Sequence, residues 1–242
     1  MSQTIPPQDA VPQPSHVLLP ERLIGGYEVF LAGRFPQEQQ RYRRLAESGQ
    51  HPGILLIGCC DSRVSPEVIF DMRPGELFVV RNIANLVPPY DPSDGLHGVS
   101  TALEFGVMAL KVEHIVVMGH ASCGGVRAYV LKETQHQEPL TEGDFIGGWI
   151  GLLSPAAAQV ERLDLPLDEY IERLELASII QSLANLRSFP WIREREAHGQ
   201  LHLHGAYFGI AKGSLLALDE PTGQFLPIAA EAHQAALSRS KP

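Results

Sequence analysis

Apolar residues in this chain gather into three short unbroken runs: Gly53-Ile-Leu-Leu-Ile-Gly58, Leu77-Phe-Val-Val80 and His114-Ile-Val-Val-Met118. A strand with one wet face alternates apolar and polar residues, whereas a strand covered on both faces reads as a continuous run, so each run predicts a buried strand. Between the second and third, Val99, Ala102, Leu103, Val107 and Leu110 recur at helical spacing. Strand, helix, strand in that order predicts an α/β fold, a central, mainly parallel sheet flanked by helices, with its chemistry beyond the carboxyl ends of the strands. Further on, Leu176, Ile179, Ile180, Leu183 and Leu186 form a helical stripe that stops before Pro190, and late strands are expected over Leu201–Phe208 and Ser214–Leu218.

The two ends read differently. Residues 1–20 hold Pro6, Pro7, Pro12, Pro14 and Pro20 among small polar residues, which predicts an extended or disordered tail. Residues 21–49 have helical composition interrupted by Gly25, Gly26, Gly33 and Pro36, the pattern of two short helices in a detached arm that packs on a partner subunit. The catalytic domain is expected over 50–220 and a C-terminal tail over 221–242.

Composition narrows the possible partners. With 28 acidic against 19 basic residues the formal net charge is −9, and no cluster of Lys and Arg offers a surface for nucleic acid or anionic membrane. No apolar run approaches the roughly 20 residues of a membrane span, and no basic segment followed by an apolar one opens the chain, so a cytoplasmic protein is expected. The three cysteines, Cys59, Cys60 and Cys123, make a disulfide framework the poorer reading.

Two polar constellations fall where the parallel-sheet reading puts a site: Cys59-Cys60-Asp61-Ser62-Arg63 after the first run and His120-Ala121-Ser122-Cys123-Gly124-Gly125 after the third. Zinc is satisfied by thiolate and imidazole, and His120 and Cys123, three apart after a strand, can face one ion. The third ligand is Cys59 or Cys60. Successive strand residues point to opposite faces, so an ion takes one of the two; if Cys59, then Asp61 stands beside the metal and Arg63 can clamp Asp61. Each residue alone has a plainer explanation: a buried core cysteine, a histidine satisfying a loop carbonyl, glycines opening a helix. Arg81-Asn82 would line the site or pair with a helix-end carboxylate. His202 and His204, with Tyr207 and Phe208 following them, read as sheet surface and core, and His97, His114 and His198 as surface residues. Redox chemistry is disfavoured, because vicinal cysteines lack the two-residue spacer of thioredoxin-like motifs.

Cys59-x-Asp61-Ser62-Arg63 with His120-x-x-Cys123 resembles the metal-site pair of β-class carbonic anhydrases. Phe78-Val-Val-Arg-Asn-Ile-Ala-Asn85, Val87-Pro-Pro-Tyr90 and Gly119-His-Ala-Ser-Cys-Gly-Gly125 are similar to the plant-like subgroup. The resemblance implies a carbonate dehydratase, a lyase that hydrates carbon dioxide reversibly to bicarbonate and a proton by a zinc-bound hydroxide. One Zn2+ per subunit would be held by Cys59, His120 and Cys123, with Asp61 orienting the hydroxide or ligating the metal in a closed form, and Arg63 holding Asp61. Gln50, Phe78, Ile83, Phe105 and Gly124 match positions lining the substrate pocket, Gln50 from across a dimer interface. It also implies a homodimer or a higher even-numbered homo-oligomer, with the arm wrapping the neighbour. Where one branch has a Trp and a Tyr that mark an inhibitory bicarbonate site, this chain has Leu56 and Phe208, which favours a site open at neutral pH. Phe105 replaces a common Tyr and Cys60 a common Ser. The competing readings are a carbonyl sulfide or carbon disulfide hydrolase on the same fold, and a non-catalytic module stabilised by zinc.

Overall fold

The structure is a computed structural model that describes residues 18–93, 95, 97–135, 141–161 and 165–239; most of the tail expected over 1–20 lies outside them. The chain divides after Gly49 into two compact units.

The first unit is a helical pair, α1 (Glu21–Ala32) and α2 (Arg34–Ser48). Of the four expected interruptions only Gly33 breaks the helix. Gly25 and Gly26 are carried inside α1, and Pro36 sits in the first turn of α2, where its missing N–H has no intrahelical partner to lose. The rings of Tyr27, Phe30, Phe35 and Tyr42 pack between the two helices, with centroids 5.6–6.2 Å apart. Neither helix has a buried residue.

The second unit is built on a six-stranded sheet. Its strands are β1 (Ile54–Cys59), β2 (Leu77–Asn82), β3 (His114–His120), β4 (His202–Gly209), β5 (Ser214–Asp219) and β6 (Gln224–Ile228), ordered β2-β1-β3-β4-β5-β6. The first four are parallel, and β5 and β6 add on antiparallel. All five expected strands form. β6 falls in the segment expected as a tail over 221–242, a correction with a clear cause: Pro227 argues against a central strand, but β6 lies at the sheet edge, where a missing backbone donor is tolerated. A helix, Ala230–Arg239, follows it.

One face of the sheet carries the main core. Leu55, Ile57, Ile115, Val117, Leu203 and Tyr207 pack against Ile179, Leu183 and Leu186 of a long helix, Leu167–Leu186 (α3 here), and against Leu103 and Val107. In the expected stripe Ile180 is instead exposed, while Glu175, one turn before Ile179, turns inward. The opposite face is thinner, with Leu56, Met118 and Ala206 as its buried set. Among the described residues no helix is long and apolar enough to cross a membrane.

α3 seats close to the sheet because the strands offer glycine beneath it. A Cβ on Gly205 would lie 2.9 Å from Ile179 Cγ2 and 3.0 Å from Leu218 Cβ. Gly205→Ala is therefore expected to lower the unfolding free energy by about 1–3 kcal/mol, and Ile179→Ala to cost less in that background than alone. Denaturant titration checks both; an unchanged stability for Gly205→Ala would contradict the close seating.

Candidate metal centre

The strand order sets the position of the site. From β1 the chain passes to β2 on one side and later to β3 on the other, so the ends of the adjacent strands β1 and β3 flank a topological switch point, where α/β sheets open a crevice. Cys59 is the last residue of β1, His120 the last of β3, and Cys123 immediately precedes the helix Gly124–Gln135. All three are buried, and their ligand atoms lie within 4.8 Å of one another; among the described residues no other group of three or more such side chains meets this spacing. All three cysteines are free thiols, and Cys60 is exposed, which decides between the vicinal pair in favour of Cys59.

Hydrogen bonding leaves this cluster short of a partner. His120 Nδ1 lies 2.9 Å from the Ala121 carbonyl, to which it can only donate, so Nε2 is the bare, lone-pair nitrogen. That Nε2 is buried with no hydrogen-bond partner among the described residues. A lone pair left unsatisfied in the interior, facing two sulfurs, is the donor set of a zinc ligand group and fits such an ion well.

The thiols share a proton. The hydrogen bond from Cys123, with nearby backbone amides, pulls Cys59 down to about 4 against the effect of burial. The same hydrogen bond, with burial, pushes Cys123 up. Backbone amides of Gly125 and Val126, at the start of the helix, nonetheless favour a thiolate at Cys123. The Cys59 sulfur accepts from the Ala84 N–H at 3.4 Å, in a turn where Ala84 and Asn85 adopt positive φ of 63° and 49°. Asn82 clips that turn through both side-chain atoms, donating to the Leu86 carbonyl at 2.9 Å and accepting from the Leu86 N–H at 2.8 Å.

Asp61 stands beside the cluster but outside the ligand group. Arg63 donates to Oδ1 from its backbone N–H and Nε, both at 2.9 Å, and to Oδ2 from Nη2 at 2.6 Å. Oδ2 remains 4.0 Å from His120 Nε2. These hydrogen bonds hold the Asp61 carboxyl far below the usual carboxylate range. Among the described residues Arg81 pairs with carbonyls rather than a carboxylate: its guanidinium donates to the Cys59 carbonyl at 2.8 Å and the Asp61 carbonyl at 2.6 Å, tying down the backbone that carries both residues.

Glu175 and Tyr207 are supports that the motifs did not identify. Glu175, buried on α3, accepts from the Cys123 N–H at 2.7 Å and from the Tyr207 hydroxyl at 2.7 Å. Burial pushes its carboxyl up despite those bonds. A carboxylate one turn from Ile179 on the buried stripe was the signal available for it. Of the expected pocket residues, Phe78 and Phe105 come together with ring centroids 5.8 Å apart. Ile83 lies close to Gly125, where an added Cβ would meet its Cγ2 at 2.7 Å, and its carbonyl accepts from the Trp149 indole at 2.8 Å. Gly124 has open space around it, and Gln50 is exposed at the start of the second unit.

The comparisons agree with this geometry. The family model described as carbonic anhydrase matches residues 54–215. The chain belongs to the β-class carbonic anhydrase family. It is 37% identical over 196 residues to beta carbonic anhydrase 3 of Arabidopsis thaliana, covering 80% of this chain and 74% of that protein. To the chloroplastic beta carbonic anhydrase 5 of the same plant it is 39% identical, covering 72% of this chain and 56% of that longer protein. Among solved structures, the β-carbonic anhydrase CcaA superposes with a TM-score of 0.73 at 33% identity, covering 86% of this chain and 91% of that one. A tetrameric β-carbonic anhydrase of Sordaria macrospora gives 0.67 at 30%, covering 82% and 96%. The family is one of carbonate dehydratases, and the fold matches the mainly parallel sheet described above.

Removing the Glu175 carboxylate strands two buried donors. Glu175→Ala is expected to destabilise the protein by about 2–5 kcal/mol and, if the cluster takes up added zinc, to weaken that binding by about 10–100-fold through the freed Cys123 backbone. Chelator competition on the folded fraction reads the second effect; zinc affinity equal to the parent's would show that Glu175 supports packing alone.

Proposed function

We propose that this carbonic anhydrase is a zinc enzyme that reversibly hydrates carbon dioxide to bicarbonate and a proton. One observation carries the reading: the partnerless Nε2 of His120 faces two buried cysteine sulfurs, while Asp61 is held off by Arg63. Cys59, His120 and Cys123 would hold one zinc ion per subunit. Zinc bound by this set supplies Lewis acidity, which makes water a competent nucleophile near neutral pH.

The chain's own residues do the positioning. Asp61, ionised and fixed through both oxygens, accepts a hydrogen bond from the attacking water and so aims its lone pair at the carbon. Arg63 is a positioning residue: it keeps Asp61 ionised and prevents it from closing on His120. Carbon dioxide is small and apolar, and Phe78, Phe105 and Ile83 supply an apolar wall suited to it, with Gly124, and Gln50 contributed from across a dimer interface, completing the pocket. Leu56 and Phe208, in place of the Trp and Tyr of the inhibited branch, accord with the open arrangement of Asp61.

The arm serves assembly in this reading. Leu23, Tyr27 and Val29 on α1 are exposed apolar side chains, an arrangement that suits cover by a second copy in a homodimer or a higher even-numbered assembly. Leu23→Glu with Tyr27→Glu is expected to lower the mass measured by light scattering; an unchanged mass would remove the arm from the interface.

Stopped-flow hydration with a pH indicator tests the activity. Zinc-loaded protein is expected to hydrate carbon dioxide rapidly, and Asp61→Asn to keep its zinc and lose about 100-fold in rate. Two thiolates leave the metal less acidifying than three neutral imidazoles would, so the rate should rise from about pH 7 to about pH 9. Asp61 takes no part in that rise. A carboxyl with a depressed pKa is fully ionised above its usual range, and its charge is lost only as pH falls through the lowered value. A zinc-loaded protein inactive at both ends of that range, or a flat profile, would contradict the proposal.

A further inference from the structure

Far from the metal centre, the sheet carries a second group of ligand-type side chains that the chemistry above does not use. His114 opens β3, and His202 and His204 lie two apart on β4. The pairing sets His114 beside His202 and Val116 beside His204, and strand alternation then puts all three imidazoles on one face. It is the thinly covered face, the one centred on Leu56, Met118 and Ala206. His114 and His120 occupy opposite ends of β3, about 20 Å apart at the rise of an extended strand, so this group is separate from the Cys59 site.

The nitrogens are spaced as ligands are. His114 Nδ1 and His204 Nε2 are 3.1 Å apart, with ring centroids 5.2 Å apart. Two imidazole nitrogens bound to one ion at about 2.0–2.1 Å, at angles between square and tetrahedral, lie roughly 2.9–3.4 Å from each other. The observed separation therefore suits a shared cation as well as a shared proton. His202 stacks on His114 with centroids 5.4 Å apart, and its exposed side chain can leave that stack to offer a third nitrogen. The surrounding charge is mixed. Lys111, Glu113 and Arg195 share with His114 and His202 a cleft of about 520 Å³, while burial, together with His114 and His202, holds the His204 imidazole below its ordinary value against the opposing effect of Glu220.

We propose that His114, His202 and His204 form a second metal site on the thinly covered face of the sheet, for a divalent transition cation of the kind imidazole prefers. His114 and His204 provide the preformed pair, and His202 the adjustable third ligand.

Nickel is the probe. Tag-free, full-length protein, with the metal content of its first site quantified, is titrated with nickel chloride by calorimetry, and elemental analysis afterwards checks that the first metal is retained. One additional nickel per chain is expected, bound about tenfold or more weakly in His204→Gln, abolished in the His114→Gln, His204→Gln double variant, and weakened a few-fold in His202→Ala. Circular dichroism establishes that each variant is folded; if His114→Gln is not, the His202→Ala, His204→Gln pair of accessible positions takes its place. No nickel beyond the first metal overturns the proposal. So does nickel whose affinity none of these variants changes, since the ion then sits on other donors.

Discussion

The bare Nε2 of His120, buried between two cysteine sulfurs, sets the terms for the rest of the molecule. An unsatisfied buried acceptor costs about 1–3 kcal/mol, and two sulfurs sharing one proton are poorly served in the same space. A cation resolves both deficits at once, since it replaces the missing donor and lets both sulfurs ionise. That demand explains why so much of the surrounding structure is devoted to holding three side chains still.

The holding is done mainly through backbone. Arg81 grips the carbonyls of Cys59 and Asp61, Asn82 closes the turn that aims the Ala84 amide at Cys59, and Glu175 anchors the Cys123 N–H to α3 and β4. Both cysteine ligands are thus tied to an element other than their own. Arg63 extends the same logic to the reacting side by occupying both oxygens of Asp61 and reaching the Ser122 carbonyl at 3.2 Å, so it spans the two segments that carry the ligands. Placing the cluster at the ends of two adjacent parallel strands keeps it precise, because strand pairing fixes Cys59 and His120 relative to each other.

Much of this was legible in the sequence, for identifiable reasons. Continuous apolar runs marked β1, β2 and β3 because both faces of a central parallel strand are covered, and the polar residues at two of their ends marked the site. Cys59 and Cys60 were not separable from the run alone, since alternation says that one of them points inward but not which; packing against Val64, Ala84 and Cys123 decides it. Glu175 was hidden because a single acidic residue on a long helix ordinarily faces water, and its role depends on Cys123 and Tyr207, distant in the chain. β6 was missed because Pro227 counts against a strand until the strand is known to be an edge. Arg81 was placed near the site, but its partners are carbonyls, which carry no sequence signal.

X-ray absorption at the zinc edge, on the parent protein and on Asp61→Asn at neutral pH, tests the central claim most directly. The account predicts two sulfurs at about 2.3 Å, one nitrogen at about 2.0–2.1 Å and one oxygen, the same in both proteins. A third sulfur would bring in Cys60, and a shell that loses or exchanges its oxygen in Asp61→Asn would make Asp61 a ligand; either result would contradict a centre of Cys59, His120 and Cys123 with Asp61 held outside it.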